Sequence, residues 1–230
     1  GSPIEWERVW PAIDVDFELE RTSVKELRPH QVEAVDTVFD NFTAYDRGQL
    51  IMACGTGKTF TSLKIAERLA AERAEEGQGT TRVLFLVPSI SLLSQTLREW
   101  SAESLTPLRS FAVCSDAKVS KKAVESDFQD MRTHDLALPA TTDPAKLVEQ
   151  VGRTATGRGL QVVFSTYQSI ATVHEAQRAG LGDFDLVICD EAHRTTGVTL
   201  AGESESHFVR VHDNEYLRAE KRLYMTATPK

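Results

Sequence analysis

The octapeptide MACGTGKT, Met52 to Thr59, sets two glycines, a lysine and a threonine in an order that suits the cradling of phosphate groups. It follows an apolar stretch of strand character and opens a helical pattern, so backbone N–H groups at the helix start would face an anion. Gly55 and Gly57 would let the chain approach phosphates closely, Lys58 would reach the outer phosphates, and the Thr59 hydroxyl would hold a magnesium ion. The strict pattern G-x-x-x-x-G-K-[ST] fails at its first position, where this chain has Met52, and taken alone the stretch also reads as a structural turn. Cys54 reads as a small apolar filler rather than a redox group. A second stretch, FDLVICDEAHRTTG from Phe184 to Gly197, runs the apolar Leu186–Cys189 straight into Asp190 and Glu191 with no cation beside them. Burying unpaired carboxylates at the end of a strand covered on both faces is costly. One answer is a solvated turn in which both carboxylates cap a following helix. Beside a phosphate loop the answer is magnesium: Asp190 would face the ion held by Thr59, and Glu191 would orient and polarise an attacking water.

These groups need a scaffold that brings residue 58 to residue 191. Short apolar runs alternate with helical patterns along the chain: QLIMA then Lys58 to Arg73, RVLFLVP then Ile90 to Trp100, RSFAVC, LQVVFST then Tyr167 to Arg178, FDLVICD, and RLYMTAT. That alternation predicts an α/β domain, a doubly wound parallel sheet with helices on both faces. Upstream, LRPHQVEAVDTVF places Pro29 at a helix start with Val32, Val35, Val38 and Phe39 on one face. The region 115–159 is the least patterned and reads as an insertion at the sheet edge, with one helix capped by Asp143 and begun by Pro144. Thr195 to His207 reads as a loop beside the carboxylates.

With 230 residues and 41% hydrophobic content, the chain has the material for one sizeable core. Its longest apolar runs, such as Val83 to Val87, fall far short of the roughly 20 residues of a spanning helix, which speaks against a membrane partner. Three cysteines, Cys54, Cys114 and Cys189, without a C-x-x-C pair argue against a disulfide framework and predict a reduced, cytoplasmic setting. The net charge of -8 counts against nucleic-acid binding through a general basic face, so such binding would need placed groups in a groove.

Taken together, the stretches resemble the first RecA-like domain of superfamily 2 helicases and translocases, a P-loop NTPase fold. MACGTGKT resembles the Walker A loop of that family, DEAH (Asp190 to His193) its Walker B motif, and TAT (Thr226 to Thr228) the motif that couples hydrolysis to nucleic-acid binding. LRPHQ resembles the adenine-reading segment, and VPSISLLSQT and STYQS resemble motifs that contact nucleic acid. The matches stand in the family's order from about Leu27 onward. The resemblance implies ATP and Mg2+ as cofactors, with Cys54, Gly55, Thr56, Gly57, Lys58 and Thr59 at the phosphates and Gln31 reading adenine by a bidentate amide. Arg28 would support the nucleotide or pack locally. His193, Thr226 and Thr228 would couple hydrolysis to strand binding, the two threonines sitting after a strand. Ser89, Gln95, Thr166, Gln168 and Ser169 would contact a sugar–phosphate backbone without reading sequence, although Ser89 or Ser91 also suits a helix cap. Tyr167 suits either base stacking or the core.

The combination of MACGTGKT, TYQS and DEAHRTTG is more similar to the DNA motors of restriction and repair systems than to RNA-unwinding DEAD-box proteins. Among these it resembles the large helicase-like proteins related to single-chain restriction–modification enzymes. The expected organisation is a lead-in over 1–26, with a cloning scar at 1–2, then a RecA-like domain over 27–230. In that family ATP is hydrolysed in a cleft closed by a second RecA-like domain, absent from this chain, so the isolated piece is expected to bind weakly and turn over poorly. The expected parent is an ATP-driven DNA translocase or helicase. The competing reading is a nucleotide-dependent binding switch or scaffold without directional movement.

Overall fold

The computed structural model describes residues 24–114, 140–153, 157–192 and 209–227. Its strands are β1 (Arg47–Ile51), β2 (Thr81–Val87), β3 (Leu108–Val113), β4 (Ala140–Thr141), β5 (Leu160–Thr166), β6 (Phe184–Cys189) and β7 (Ala219–Thr226). Among the described residues they form one sheet in the order β1-β7-β6-β2-β5-β3-β4, every pairing parallel. The helices are α1 (Pro29–Ala44), α2 (Lys58–Glu75), α3 (Ile90–Glu103), α4 (Pro144–Gly152) and α5 (Ile170–Ala176), the last continued by a wider turn over Gln177–Leu181.

Parallel strands must be covered on both faces, and the alternation of their side chains sorts the helices into two layers. Val83, Phe85 and Val87 of β2, with Phe164 of β5 and Ile188 of β6, pack against α1, α2 and α3. The intervening Leu84 and Leu86, with Val163 and Val187, pack against α4, α5 and the segment holding Val211 and Leu217. The expected doubly wound sheet is therefore present as a three-layer sandwich. No helix among the described residues is long and apolar enough to cross a membrane.

Helix α1 departs from the expected face. Val32 is 43% exposed, whereas Gln31 is buried with Val35, Val38, Phe39 and Phe42. A buried glutamine is tolerated because its amide is satisfied at both ends, as described below. Helix α4 begins as expected: the Asp143 carboxylate accepts from Ala145 N at 2.9 Å and Lys146 N at 3.4 Å, with Pro144 in the first turn. Just before it, β4 joins the sheet at the edge beyond β3.

One strand residue has no apolar rationale. Arg222 of β7 is fully buried, and its guanidinium donates to the carbonyls of Val211 (3.1 Å), Leu217 and Ala219. A charge in that position is held by dipoles it would be costly to orphan, so Arg222 ties the 211–217 segment to the sheet.

Candidate functional site

In open parallel sheets, ligands bind beyond the carboxyl ends of the strands. The 52–57 loop, Thr166, Asp190 and Thr226 all lie at that edge. Strand β1 ends at Ile51, opposite Thr226, and the Met52 N–H donates to the Thr226 carbonyl at 3.0 Å. Thr226 is thus the last residue of β7 rather than a residue after it, buried beside the start of the 52–57 loop. Strand β6 ends two positions away across the ladder, with Cys189 opposite Tyr224.

The loop then climbs to α2 through two left-handed glycines, Gly55 at φ 77° and Gly57 at φ 87°. Gly57 is required twice, because a Cβ there would also lie 2.4 Å from Gln31 Nε2. Thr56 closes the turn internally, its hydroxyl donating to Ala53 O at 2.7 Å. Gln31 braces the loop from outside: its Nε2 donates to Thr56 O at 3.0 Å and its Oε1 accepts from Arg28 N at 2.9 Å. An amide has two donors and two lone pairs, so one of each remains. His30 Nε2 lies 3.3 Å from the same Thr56 carbonyl. Arg28 itself is exposed. Cys54 is exposed as well, which corrects its reading as a filler: the loop tip stands away from the core.

A buried support that the sequence did not signal lies behind the first turn of α2. Trp100 of α3 is fully buried against Phe85 and Phe164, with ring centroids 5.3 and 5.7 Å away, and its indole N–H donates to Thr59 O at 3.2 Å. The indole thereby fixes the turn that carries Lys58 and Thr59.

At the other wall, Asp190 is buried and its N–H donates to Leu86 O at 2.9 Å, extending the β6–β2 ladder by one bond. The Asp190 side chain accepts from Glu191 N at 2.9 Å. Glu191 has φ 52°, the one positive value at a non-glycine residue among those described. Left-handed backbone at a residue with a long side chain costs free energy and persists where neighbours over-determine it. Burial pushes the Asp190 carboxyl up to about 6, the Glu191 charge acting in the same direction while the Glu191 N–H and Lys58 oppose it. Lys58 Nζ stands 3.9 Å from Glu191 Oε1, both side chains largely shielded from solvent. The structure therefore joins the two stretches that open the sequence, residue 58 to residue 191, across β7.

The expected strand-contacting residues divide. Gln95 and Gln168 are exposed, and Gln168 Nε2 donates to Pro88 O at 3.4 Å. Ser89 caps α3, accepting from Leu92 N at 3.3 Å. Thr166 and Ser169 are buried, with a 3.1 Å bond between their hydroxyls. Tyr167 is core rather than a base platform: fully buried, it donates from its hydroxyl to Asp190 O at 2.8 Å. Burial also pushes the Tyr167 phenol well above its ordinary value and the Cys189 thiol up to about 12, so both stay neutral. His193, Thr228 and the 195–207 loop lie outside the described residues.

The fold agrees with that of known proteins. The family described as "Type III restriction enzyme, res subunit" matches residues 24–230. The chain is 30% identical over 211 residues to the probable helicase A859L of African swine fever virus (isolate Pig/Kenya/KEN-50/1950), covering 91% of this chain and 20% of that protein. Among solved structures it is similar to the ATP-dependent Type ISP restriction-modification enzyme LlaBIII bound to DNA, at 43% identity and TM-score 0.78, covering 90% of this chain and 13% of that one. It is also similar to a nuclease-deletion mutant of the Type ISP enzyme LlaGI in complex with a DNA substrate mimic, at 41% identity and TM-score 0.72, covering 90% and 18%. The chain thus spans about a fifth or less of these three relatives. A match over nearly the whole chain, on a parallel sheet that brings the glycine loop and the carboxylate turn together, places this chain in the Type III restriction enzyme res subunit family, as a RecA-like domain of the superfamily 2 helicase class.

Proposed function

We propose that the chain is the ATP-binding motor domain of a DNA translocase or helicase, which couples magnesium-dependent ATP hydrolysis to movement along DNA in restriction or repair. The observation that carries this reading is the meeting of Lys58 and Glu191, 3.9 Å apart at the carboxyl edge of the sheet, one on a phosphate-type loop and the other beside a buried aspartate. The relatives' names add support: one is an ATP-dependent enzyme bound to DNA and one a probable helicase.

In this reading the loop amides from Gly55 to Thr59 and the Lys58 ammonium hold the outer phosphates, and the remaining donor and lone pair of Gln31 face adenine. The Asp190 carboxylate and Thr59 hydroxyl are the hard oxygen donors that suit magnesium, which when bound neutralises charge on the phosphates. The fit rests on Asp190: a carboxyl pushed up to about 6 by burial lacks full compensation from protein cations. Glu191, less buried and facing the same space, orients a water and accepts its proton. The exposed amides of Gln95 and Gln168 contact the DNA backbone, and a second RecA-like domain of the parent closes the cleft. His193 and Thr228, with Thr226, would complete the coupling set.

ATP hydrolysis by the full parent chain, measured across a titration with duplex DNA, tests the reading. The expected result is a rate that rises with DNA to saturation. A slow rate indifferent to DNA would instead favour the nucleotide-dependent switch.

A further inference from the structure

The hydroxyl of Tyr167 reaches past a whole strand. Tyr167 follows β5 and Asp190 follows β6, and β2 lies between those two strands in the sheet. Two strand spacings amount to roughly 9.5 Å, so the 2.8 Å bond from the Tyr167 hydroxyl to Asp190 O is no by-product of ladder pairing. Its acceptor is the carbonyl of the peptide that precedes Glu191. The same peptide's N–H is held by Asp190 Oδ1 at 2.9 Å. Both ends of the 190–191 peptide are therefore clamped, and that peptide sets the direction of the Glu191 side chain at its φ of 52°.

The other end of the connection faces outward. Thr166 to Ser169 form a closed turn, with the 3.1 Å bond between Thr166 and Ser169 hydroxyls inside it. Within this turn Tyr167 points into the core and its neighbour Gln168 is exposed, bonded to Pro88 O at the end of β2. The turn thus places side by side an exposed amide bonded to Pro88 O and a buried hydroxyl bonded to the 190–191 peptide.

We propose that Tyr167 is a positioning residue that transmits DNA contact at Gln168 to the orientation of Glu191. The proposal rests on the motor reading above and supplies one route by which strand binding alters hydrolysis. A buried tyrosine that merely satisfies its hydroxyl would stabilise the fold without distinguishing the DNA-bound from the DNA-free enzyme. Proximity alone does not establish coupling, so the test is a double-mutant cycle.

In the full parent chain, ATP turnover with and without duplex DNA is compared for wild type, Tyr167→Phe, Gln168→Ala and the double variant. Tyr167→Phe keeps the ring and removes the hydroxyl, and with it the bond to Asp190 O and the contact with the Cys189 thiol. The DNA-stimulated rate should fall at least about fivefold more than the unstimulated rate, with KM for ATP within about twofold of wild type. Gln168→Ala, an exposed change, should reduce stimulation too, and the double variant should be no worse than Tyr167→Phe. Full stimulation in Tyr167→Phe, equal losses with and without DNA, or independent losses that multiply in the double variant would each overturn the coupling. Wild-type hydrolysis indifferent to DNA would overturn the motor reading itself, and the coupling with it.

Discussion

Glu191→Gln in the full parent chain is expected to lower ATP turnover by about 10²–10⁴-fold, the range a positioned general base contributes, while nucleotide affinity stays near that of wild type. Glutamine retains the length and shape of the side chain and its place in the left-handed turn, so the bonds from Glu191 N to Asp190 and from Tyr167 to Asp190 O survive. What is lost is the negative charge to which the proposed function assigns polarising water and accepting its proton. The change also removes the 3.9 Å partner of Lys58, which leaves the ammonium freer to meet phosphate and argues against any loss of binding. Steady-state hydrolysis together with equilibrium binding of ATP separates the two effects. Normal turnover in this variant would remove Glu191 from the role of base.

Lys58→Ala should act at the opposite step. A charge-assisted bond to phosphate in a shielded site is worth about 1.5–3 kcal/mol, so removing the ammonium weakens nucleotide binding by about 10- to 150-fold. The side chain leaves the first turn of α2, which Trp100 fixes through Thr59 O and Gln31 braces through Thr56 O, so its removal leaves the loop's geometry intact. Its Glu191 contact is long at 3.9 Å, which makes its share of folding stability small. Calorimetric titration of wild type and variant with magnesium and ATP reads the difference, and equal affinities would count against the phosphate loop.

Much of this site is legible in the order of the amino acids, for an identifiable reason. Strands buried on both faces must be apolar throughout, so β2, β5 and β6 announce themselves as runs, and residues at their carboxyl ends inherit a common edge. LQVVFST coincides with β5, residue for residue. The order of strands is different in kind: that β7 separates β1 from β6 depends on pairings between distant segments, which local periodicity does not encode. Partners distant in sequence account for the misread side chains as well. The helical period accommodates Val32 or Gln31 on the inner face of α1, and Gln31 is selected by a carbonyl 25 residues away. Thr166 and Ser169 are a local case: three residues apart, they look available at a strand end, yet both are buried with a 3.1 Å bond between their hydroxyls. Trp100 and Arg222 carry no motif signal because their acceptors are backbone carbonyls, which every residue has, and the same kind of acceptor decides for the core at Tyr167 within STYQS.

Movement along DNA is measured directly by displacement of a triplex-forming strand placed at increasing distances from the point where the full parent chain loads. The expected result is an ATP-dependent lag before displacement that lengthens in proportion to distance, with no displacement at all in Glu191→Gln. Hydrolysis that proceeds while displacement is absent, or displacement that occurs without dependence on distance, would contradict it and leave a nucleotide-driven switch.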